Sequence, residues 1–290
     1  MRRLAVVGQP ISHSRSPAMQ SAALAELGLA GEWSYEAIEV APADFEARVR
    51  EMAAGSFVGA NVTVPHKVAA LELAGDASEA ALAIGAANTL SFPAGRIAAE
   101  NTDATGFLDS LPAPPAGSRA LVLGAGGSAR AVVWALVTHG AEVAIWNRTP
   151  ERAQRLAQEL GAQALEVTGH GSQDSAVSRE LSGSGFDLLV NATTVGMGTA
   201  RGSAADLKSL PLRADLLGKT HQLVDLAYGS AETELARAAR AHGATVVDGL
   251  EVLVRQGAAS LRIWTGLEPP IEAMRRAARA TWKSSSVPDT

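Results

Sequence analysis

Cysteine is absent from all 290 residues, which excludes disulfides, thiolate metal sites and thiol nucleophiles. Such a chain suits a reducing compartment, and a cytoplasmic location is expected. Aromatic residues are scarce at 4%, so a ligand is expected to be held by hydrogen bonds more than by ring stacking. Positive charge is not in excess: 25 Lys and Arg face 30 Asp and Glu, for a formal net charge of -5. That balance supplies no basic field to collect nucleic acid or anionic lipid, so small molecules are the expected partners. The histidines (His13, His66, His139, His170, His221 and His242) include no pair at the i, i+4 spacing that sets two ligands on one helix face, and no metal is expected. Long apolar runs are missing too. The run at residues 4–7 stops at Gly8, Gln9 and Pro10, short of a signal-peptide core, and nothing approaches the about 20 apolar residues of a membrane span.

What is present is a 47% hydrophobic chain, long enough for a substantial core and two domains. Short apolar runs alternate with longer amphipathic ones, the signature of βαβ units in a largely parallel sheet. A first series has strand candidates at 4–7, 34–38, 57–62 and 87–91, with one helix opened by Pro17 and another at 42–53. The Pro-rich stretch 111–117 reads as a turn or short linker. A second series follows, with strands at 119–123, 142–146, 186–190, 222–225 and 245–247, and a helix at 128–139 closed by Gly140. The Ser- and Gly-rich segment 168–185 is expected to be a surface loop with a short helix, because strands continue on both sides of it. Helices are predicted at 250–264 and 270–282, with a frayed tail from Ser284.

Gly124, Ala125, Gly126, Gly127, Ser128 and Ala129 match G-x-G-x-x-A between an apolar strand and a helix. The first glycine permits a tight turn, the second lets backbone approach a pyrophosphate, and the small sixth residue allows close helix–strand packing. The helix N-terminus then offers N–H groups and partial positive charge to phosphates. At the end of the next strand, where an NAD site places a carboxylate for the ribose, the chain reads Asn147, Arg148, Thr149. A carboxylate would repel a 2′-phosphate, whereas the Arg148 guanidinium offers it a planar fork of donors. NADP is therefore the expected cofactor.

In the first series, polar residues gather at ends of apolar runs, where ligands collect in open α/β sheets. Asn61, Thr63 and Lys67 follow one run, Asn88 and Thr89 another, and Asn101, Thr102 and Asp103 precede the second series. Together they point to one convergent cleft. Ser14 and Ser16 flank Arg15 ahead of the first helix, where a hydroxyl either caps the helix or helps receive a carboxylate. On the residues alone, Lys67 reads as a solvated helix lysine and Asp103 as an N-cap or turn aspartate.

An ordered set of motifs changes that reading: SHSRSP (12–17), NVTVPHK (61–67), GAANT (85–89), NTDATG (101–106), GAGGSAR (124–130), NRT (147–149), NATTVGM (191–197) and DGLEVLVRQGA (248–258). Over nearly its whole length the chain resembles the shikimate dehydrogenase family. The resemblance implies an α/β fold of two domains, an N-terminal substrate domain and a Rossmann-like dinucleotide-binding domain. The first would comprise 1–102 plus 250–290, its C-terminal helices returning to it, and the second 103–249. It also implies NADPH-dependent reduction of 3-dehydroshikimate to shikimate by a monomer or homodimer. Lys67 and Asp103 become the catalytic pair. Ser14 and Ser16 are implied to bind the substrate carboxylate, and Asn61, Thr63, Asn88, Asp103 and Gln256 to hold ring hydroxyls, with Tyr228 bordering the substrate. Thr193, Met197, Leu226 and Gly249 are implied to line the nicotinamide side, with Arg152 and Glu79 in the cofactor region. The chain departs from the family pattern at 225–235 (DLAYGSAETEL), which lacks the usual Asn and Pro after the tyrosine, and at Val252, where methionine is frequent. The rival readings are a quinate or aminoshikimate dehydrogenase sibling and a noncatalytic NADP-binding regulator.

Overall fold

The computed structural model describes residues 1–165, 185–197, 207–229 and 231–284. All but the last residue of the predicted loop at 168–185 falls outside these, as does the tail beyond Ser284. The chain forms two compact units, residues 1–109 with 253–290 and residues 110–252. Asp103 therefore lies in the same unit as Lys67, although the expected boundary falls at 102/103.

The first unit is built on a six-stranded sheet of order β2-β1-β3-β5-β6-β4. Its strands are β1 (Arg2–Gly8), β2 (Trp33–Glu39), β3 (Phe57–Val62), β4 (Asp76–Ala77), β5 (Thr89–Ser91) and β6 (Ala98–Glu100). Alternation along β1 explains why its apolar run is unbroken. Ala5 and Val7 pack into one core with Phe45, Val49, Met52 and Leu90. Leu4 and Val6 pack into another with Met19, Leu24, Trp33, Val254 and Leu261. A strand covered on both faces needs apolar residues at every covered position, a large one such as Leu4 or Val7 contributing about 1.5–3 kcal/mol when fully buried. One cover contains α2 (Phe45–Ala54); the other contains α1 (Ser16–Glu26), α9 (Gly249–Thr265) and α10 (Ile271–Ser284). Three further helices complete the unit: α3 (Lys67–Leu73), α4 (Glu79–Ile84) and α5 (Thr102–Ser110).

The sheet is largely parallel, with one of its six strands, β5, reversed. β1 pairs parallel with β2 and β3, but β5 runs antiparallel to both β3 and β6. Asn88 therefore immediately precedes the short strand β5 and Thr89 is its first residue, not its last. Reversal of β5 is what puts that start beside the end of β3, in the register Asn61 to Thr89 to Glu100.

The second unit carries a sheet of order β12-β11-β10-β7-β8-β9, every pairing parallel. These strands are β7 (Arg119–Leu123), β8 (Glu142–Trp146), β9 (Gln163–Ala164), β10 (Leu188–Asn191), β11 (Gln222–Asp225) and β12 (Thr245–Asp248). From β9 inward this is the 3-2-1-4-5-6 order of the dinucleotide-binding fold. The helices α6 (Gly127–Thr138), α7 (Pro150–Leu160) and α8 (Glu234–Ala241) connect it. Ala129, Ala131, Val132, Val133, Ala135 and Leu136 of α6 are buried, and an Arg130–Glu159 ion pair of 2.6 Å ties α6 to α7. Among the described residues no helix is long and apolar enough to cross a membrane.

Candidate functional site

Three polar strings of the first unit meet because the sheet register aligns them. Asn61 is the fifth residue of β3, Asn88 immediately precedes β5, and Asn101 follows β6. Asn101 accepts from the Asp103 and Ala104 N–H groups at 3.1 and 3.3 Å, so the cap of α5 is Asn101. That leaves the Asp103 carboxylate in the first turn of α5 for other partners.

Lys67 is one. Its Nζ donates to Asp103 Oδ2 at 2.5 Å, with side chains only 10% and 15% exposed, so Lys67 is not the solvated helix lysine its position suggests. Lys67 is the first residue of α3, and the α3 backbone holds the β5 approach through the Lys67 carbonyl, which accepts from the Ala87 N–H at 2.8 Å. The other carboxylate oxygen, Asp103 Oδ1, accepts from Asn88 Nδ2 at 2.9 Å. Asn88 Nδ2 also donates to Gln256 Oε1 at 3.0 Å, and its Oδ1 accepts from the Thr102 N–H at 2.7 Å. Gln256 is anchored in turn, its Nε2 donating to the Leu253 carbonyl at 2.8 Å. Four predicted residues, Lys67, Asp103, Asn88 and Gln256, thus form one directly bonded cluster. A buried ammonium, a point charge with three N–H donors, beside a carboxylate whose orientation is fixed at both oxygens, is equipped to stabilise negative charge developing on a ligand oxygen.

Asn61 joins this cluster through hydroxyls. Its Nδ2 donates to Ser260 Oγ at 2.8 Å and its Oδ1 accepts from the Tyr35 hydroxyl at 2.8 Å. Thr63 is half-buried just beyond β3, its N–H donating to the Val7 carbonyl at 2.9 Å. At the start of α1, Ser14 Oγ accepts from the Ser16 N–H at 3.3 Å, while the N-cap residue Arg15 makes no side-chain cap. The helix reaches α9 through Gln20, whose Nε2 donates to the Gly257 carbonyl at 2.9 Å, one residue from Gln256. Glu79 is exposed at the first position of α4.

In the second unit Gly124 lies between β7 and α6 with φ +113, and a Cβ there would stand 2.9 Å from the Ala192 carbonyl oxygen. Both facts require glycine. Thr193 comes against the same point, its Cγ2 3.4 Å from that Cβ position, and its hydroxyl donates to Asn191 Oδ1 at 2.7 Å. A Cβ on Gly126 would meet nothing within 4 Å, and no side chain caps α6 above Gly126. The first turn of α6 carries no acidic residue, so its N–H groups form an open, positively polarised cradle that a pyrophosphate fits. At the end of β8, Asn147 is half-buried, its Nδ2 donating to the Thr149 carbonyl at 2.9 Å, and Arg148 and Thr149 are exposed. Arg152 lies in the first turn of α7. Met197 is exposed and Tyr228 half-buried; Gly249 opens α9 with its Cβ position 2.7 Å from the Leu226 carbonyl oxygen.

Sequence reasoning misses Tyr35 and Ser260 as members of the polar cluster, and Asp225 as a buried carboxylate. Ser260 carries a signal: it stands four residues after Gln256, hence on the same helix face. Asp225 ends β11 at 1% exposure, its carboxylate accepting from Asn191 Nδ2 at 2.8 Å, from the Ala227 N–H at 3.1 Å and from the Thr233 hydroxyl. Burial raises its pKa from 3.8 to about 6; those hydrogen bonds oppose the rise and Asp248 adds to it. Among the described residues no group of His, Asp and Glu is placed to hold a metal ion.

Residues 6–90 match the model of the shikimate dehydrogenase substrate-binding domain, 112–179 that of shikimate/quinate 5-dehydrogenase, and 249–279 that of the shikimate 5′-dehydrogenase C-terminal domain. The NADP(+) shikimate dehydrogenase of Methanopyrus kandleri is 42% identical over 278 residues, 94% of this chain and 93% of the relative. That of Thermus thermophilus is 43% identical over 281 residues, 96% of this chain and 98% of the relative. Among solved structures, a Thermus thermophilus shikimate 5-dehydrogenase in complex with NADP(H) and shikimate superposes with a TM-score of 0.82 at 42% identity, covering 97% of this chain and 100% of the other.

Proposed function

The chain belongs to the shikimate dehydrogenase family, and we propose that it reduces the ketone of 3-dehydroshikimate to shikimate with NADPH, reversibly, in the route to chorismate and the aromatic amino acids. The observation that carries this reading is the buried Lys67–Asp103 pair, held by Asn88 and set among amides and hydroxyls suited to a hydroxylated ring. NADPH, when bound, supplies the hydride. Lys67 donates to the carbonyl oxygen as negative charge grows there, and the oxygen takes up one proton to become the hydroxyl. Asp103 fixes the ammonium and accepts from a substrate hydroxyl. Asn61, Thr63, Asn88 and Gln256 bind the remaining hydroxyls, and Ser14 and Ser16 the carboxylate at the start of α1. Tyr228 borders the substrate.

The cofactor residues fit NADP. The turn from Gly124 to Ala129 receives the pyrophosphate at the open start of α6. Arg148, with Asn147, Thr149 and Arg152, receives the 2′-phosphate, since no carboxylate stands at the end of β8 to repel it. Thr193, Met197, Leu226 and Gly249 border the nicotinamide, and Glu79 the cofactor region. A cysteine-free chain suits a cytoplasmic setting, in which the protein acts as a monomer or homodimer.

The test is a fall in NADPH absorbance on addition of 3-dehydroshikimate, with NADH and quinate run in parallel. Tight NADPH binding with no turnover would refute the assignment, and faster quinate turnover would shift it to a sibling activity.

A further inference from the structure

Ser260 lies on α9 one turn beyond Gln256, with no exposed surface, at the junction of the two asparagines assigned to the substrate. Its Oγ is 2.8 Å from Asn61 Nδ2, 2.8 Å from Thr89 Oγ1, 3.0 Å from Thr102 Oγ1 and 3.0 Å from the Gln256 carbonyl oxygen. A hydroxyl has one proton and two acceptor positions. The Gln256 carbonyl can only accept and Asn61 Nδ2 can only donate, so the Ser260 proton goes to the carbonyl and its oxygen receives Asn61 and a threonine hydroxyl. This order of donors, with the Tyr35 hydroxyl donating to Asn61 Oδ1, fixes which way the Asn61 amide faces. The second Asn61 amide proton meets only acceptors at 3.3 Å, the Asn88 carbonyl and Thr89 Oγ1, at the long end of the hydrogen-bond range.

The same hub reaches the catalytic carboxylate. Thr102 Oγ1, 3.0 Å from Ser260, also receives Asn88 Nδ2 at 3.0 Å, and that amide bonds Asp103 Oδ1 at 2.9 Å and Gln256 Oε1 at 3.0 Å. One serine thus sets the donor order for Asn61, where the alternative amide orientation would leave buried groups unpaired, while Asn88 is oriented by the Thr102 N–H and the Asp103 carboxylate.

We propose that Ser260 is a positioning residue for substrate recognition, orienting the amide of Asn61 toward a polyhydroxylated ring; this rests on the function proposed above. In the direction of shikimate oxidation with NADP+, Ser260→Ala is expected to raise the shikimate KM about 5–10-fold, the worth of one neutral hydrogen bond. The NADP+ KM should be unchanged and kcat should fall less than about threefold, because Lys67 and its carboxylate partner stay in place. Ser260→Cys preserves volume but offers a poor acceptor, so it should show the same split and serves if the alanine variant does not fold. An unchanged shikimate KM in the folded variants, with only a lower melting temperature or a smaller active fraction, would overturn the proposal and leave Ser260 a packing residue. Wild-type protein that fails to oxidise shikimate would instead overturn the functional reading on which the proposal stands.

Discussion

Replacing Asp225 with Asn should remove a pH dependence of stability that this carboxylate imposes. Burial holds its pKa at about 6 in the folded chain, against 3.8 for an ordinary aspartate. Between those two values the folded chain keeps a proton that the unfolded chain has released, so stability falls as pH rises through the window and stays low above it. A shift of about 2 pKa units at 1.36 kcal/mol per unit makes the loss about 3 kcal/mol. The asparagine oxygen can still accept from Asn191 and Ala227, and its amide can donate to the Thr233 oxygen, so the variant loses only the acceptor of the Thr233 hydroxyl proton, a cost that does not vary with pH. Urea unfolding of both proteins from pH 4 to 8 should therefore show the variant gaining about 2–3 kcal/mol on the wild type, most of it below pH 6.5. Parallel profiles, or a wild type that gains on the variant with rising pH, would refute the reasoning, because only a proton held preferentially by the folded state produces the predicted slope.

Changing Lys67 to Ala is expected to lower kcat by about 10²–10⁴ with a smaller change in KM, and near-normal kcat would remove Lys67 from the proton-handling role. Arg148→Ala should cost about 1.5–3 kcal/mol in NADPH binding by calorimetry and little in NADH binding; equal losses would argue against a 2′-phosphate contact. A Cβ on Gly106 would lie 2.4 Å from the Gln256 backbone nitrogen and 2.6 Å from its Cα, so Gly106→Ala must push α5 and α9 apart. A stability loss of about 1–3 kcal/mol and a raised shikimate KM are expected, and a variant unchanged in both would show slack between these helices.

Strand positions were legible from sequence where both faces of a strand are buried. Residues 57–62, 119–123, 142–146 and 222–225 match β3, β7, β8 and β11 end to end, because full burial converts a strand into an uninterrupted apolar run that turn residues bound sharply. The short strands β4, β6 and β9 escaped, since two or three residues carry no period to detect. The glycine turn was legible too, its meaning set by the strand before it and the helix after it. Tyr35 was not, being an ordinary strand residue until its partner is known.

Local order along the chain determined the β7–turn–α6 unit and the missing carboxylate after β8, because each depends on neighbours a few residues away, whereas Lys67 and Asp103 were singled out only by the resemblance carried by the whole ordered set of motifs. Only the folded sheet decided that β5 runs antiparallel, and with it that Asn61, Thr89 and Glu100 stand in register. Which hydroxyl meets which amide was likewise settled in three dimensions: Asn61 and Ser260 are 199 residues apart in sequence, and no local preference encodes a bond between them. Hydrophobic periodicity reports how much a face is buried, whereas a polar network forms only when separate strand ends and a returning helix bring donors and acceptors within about 3 Å.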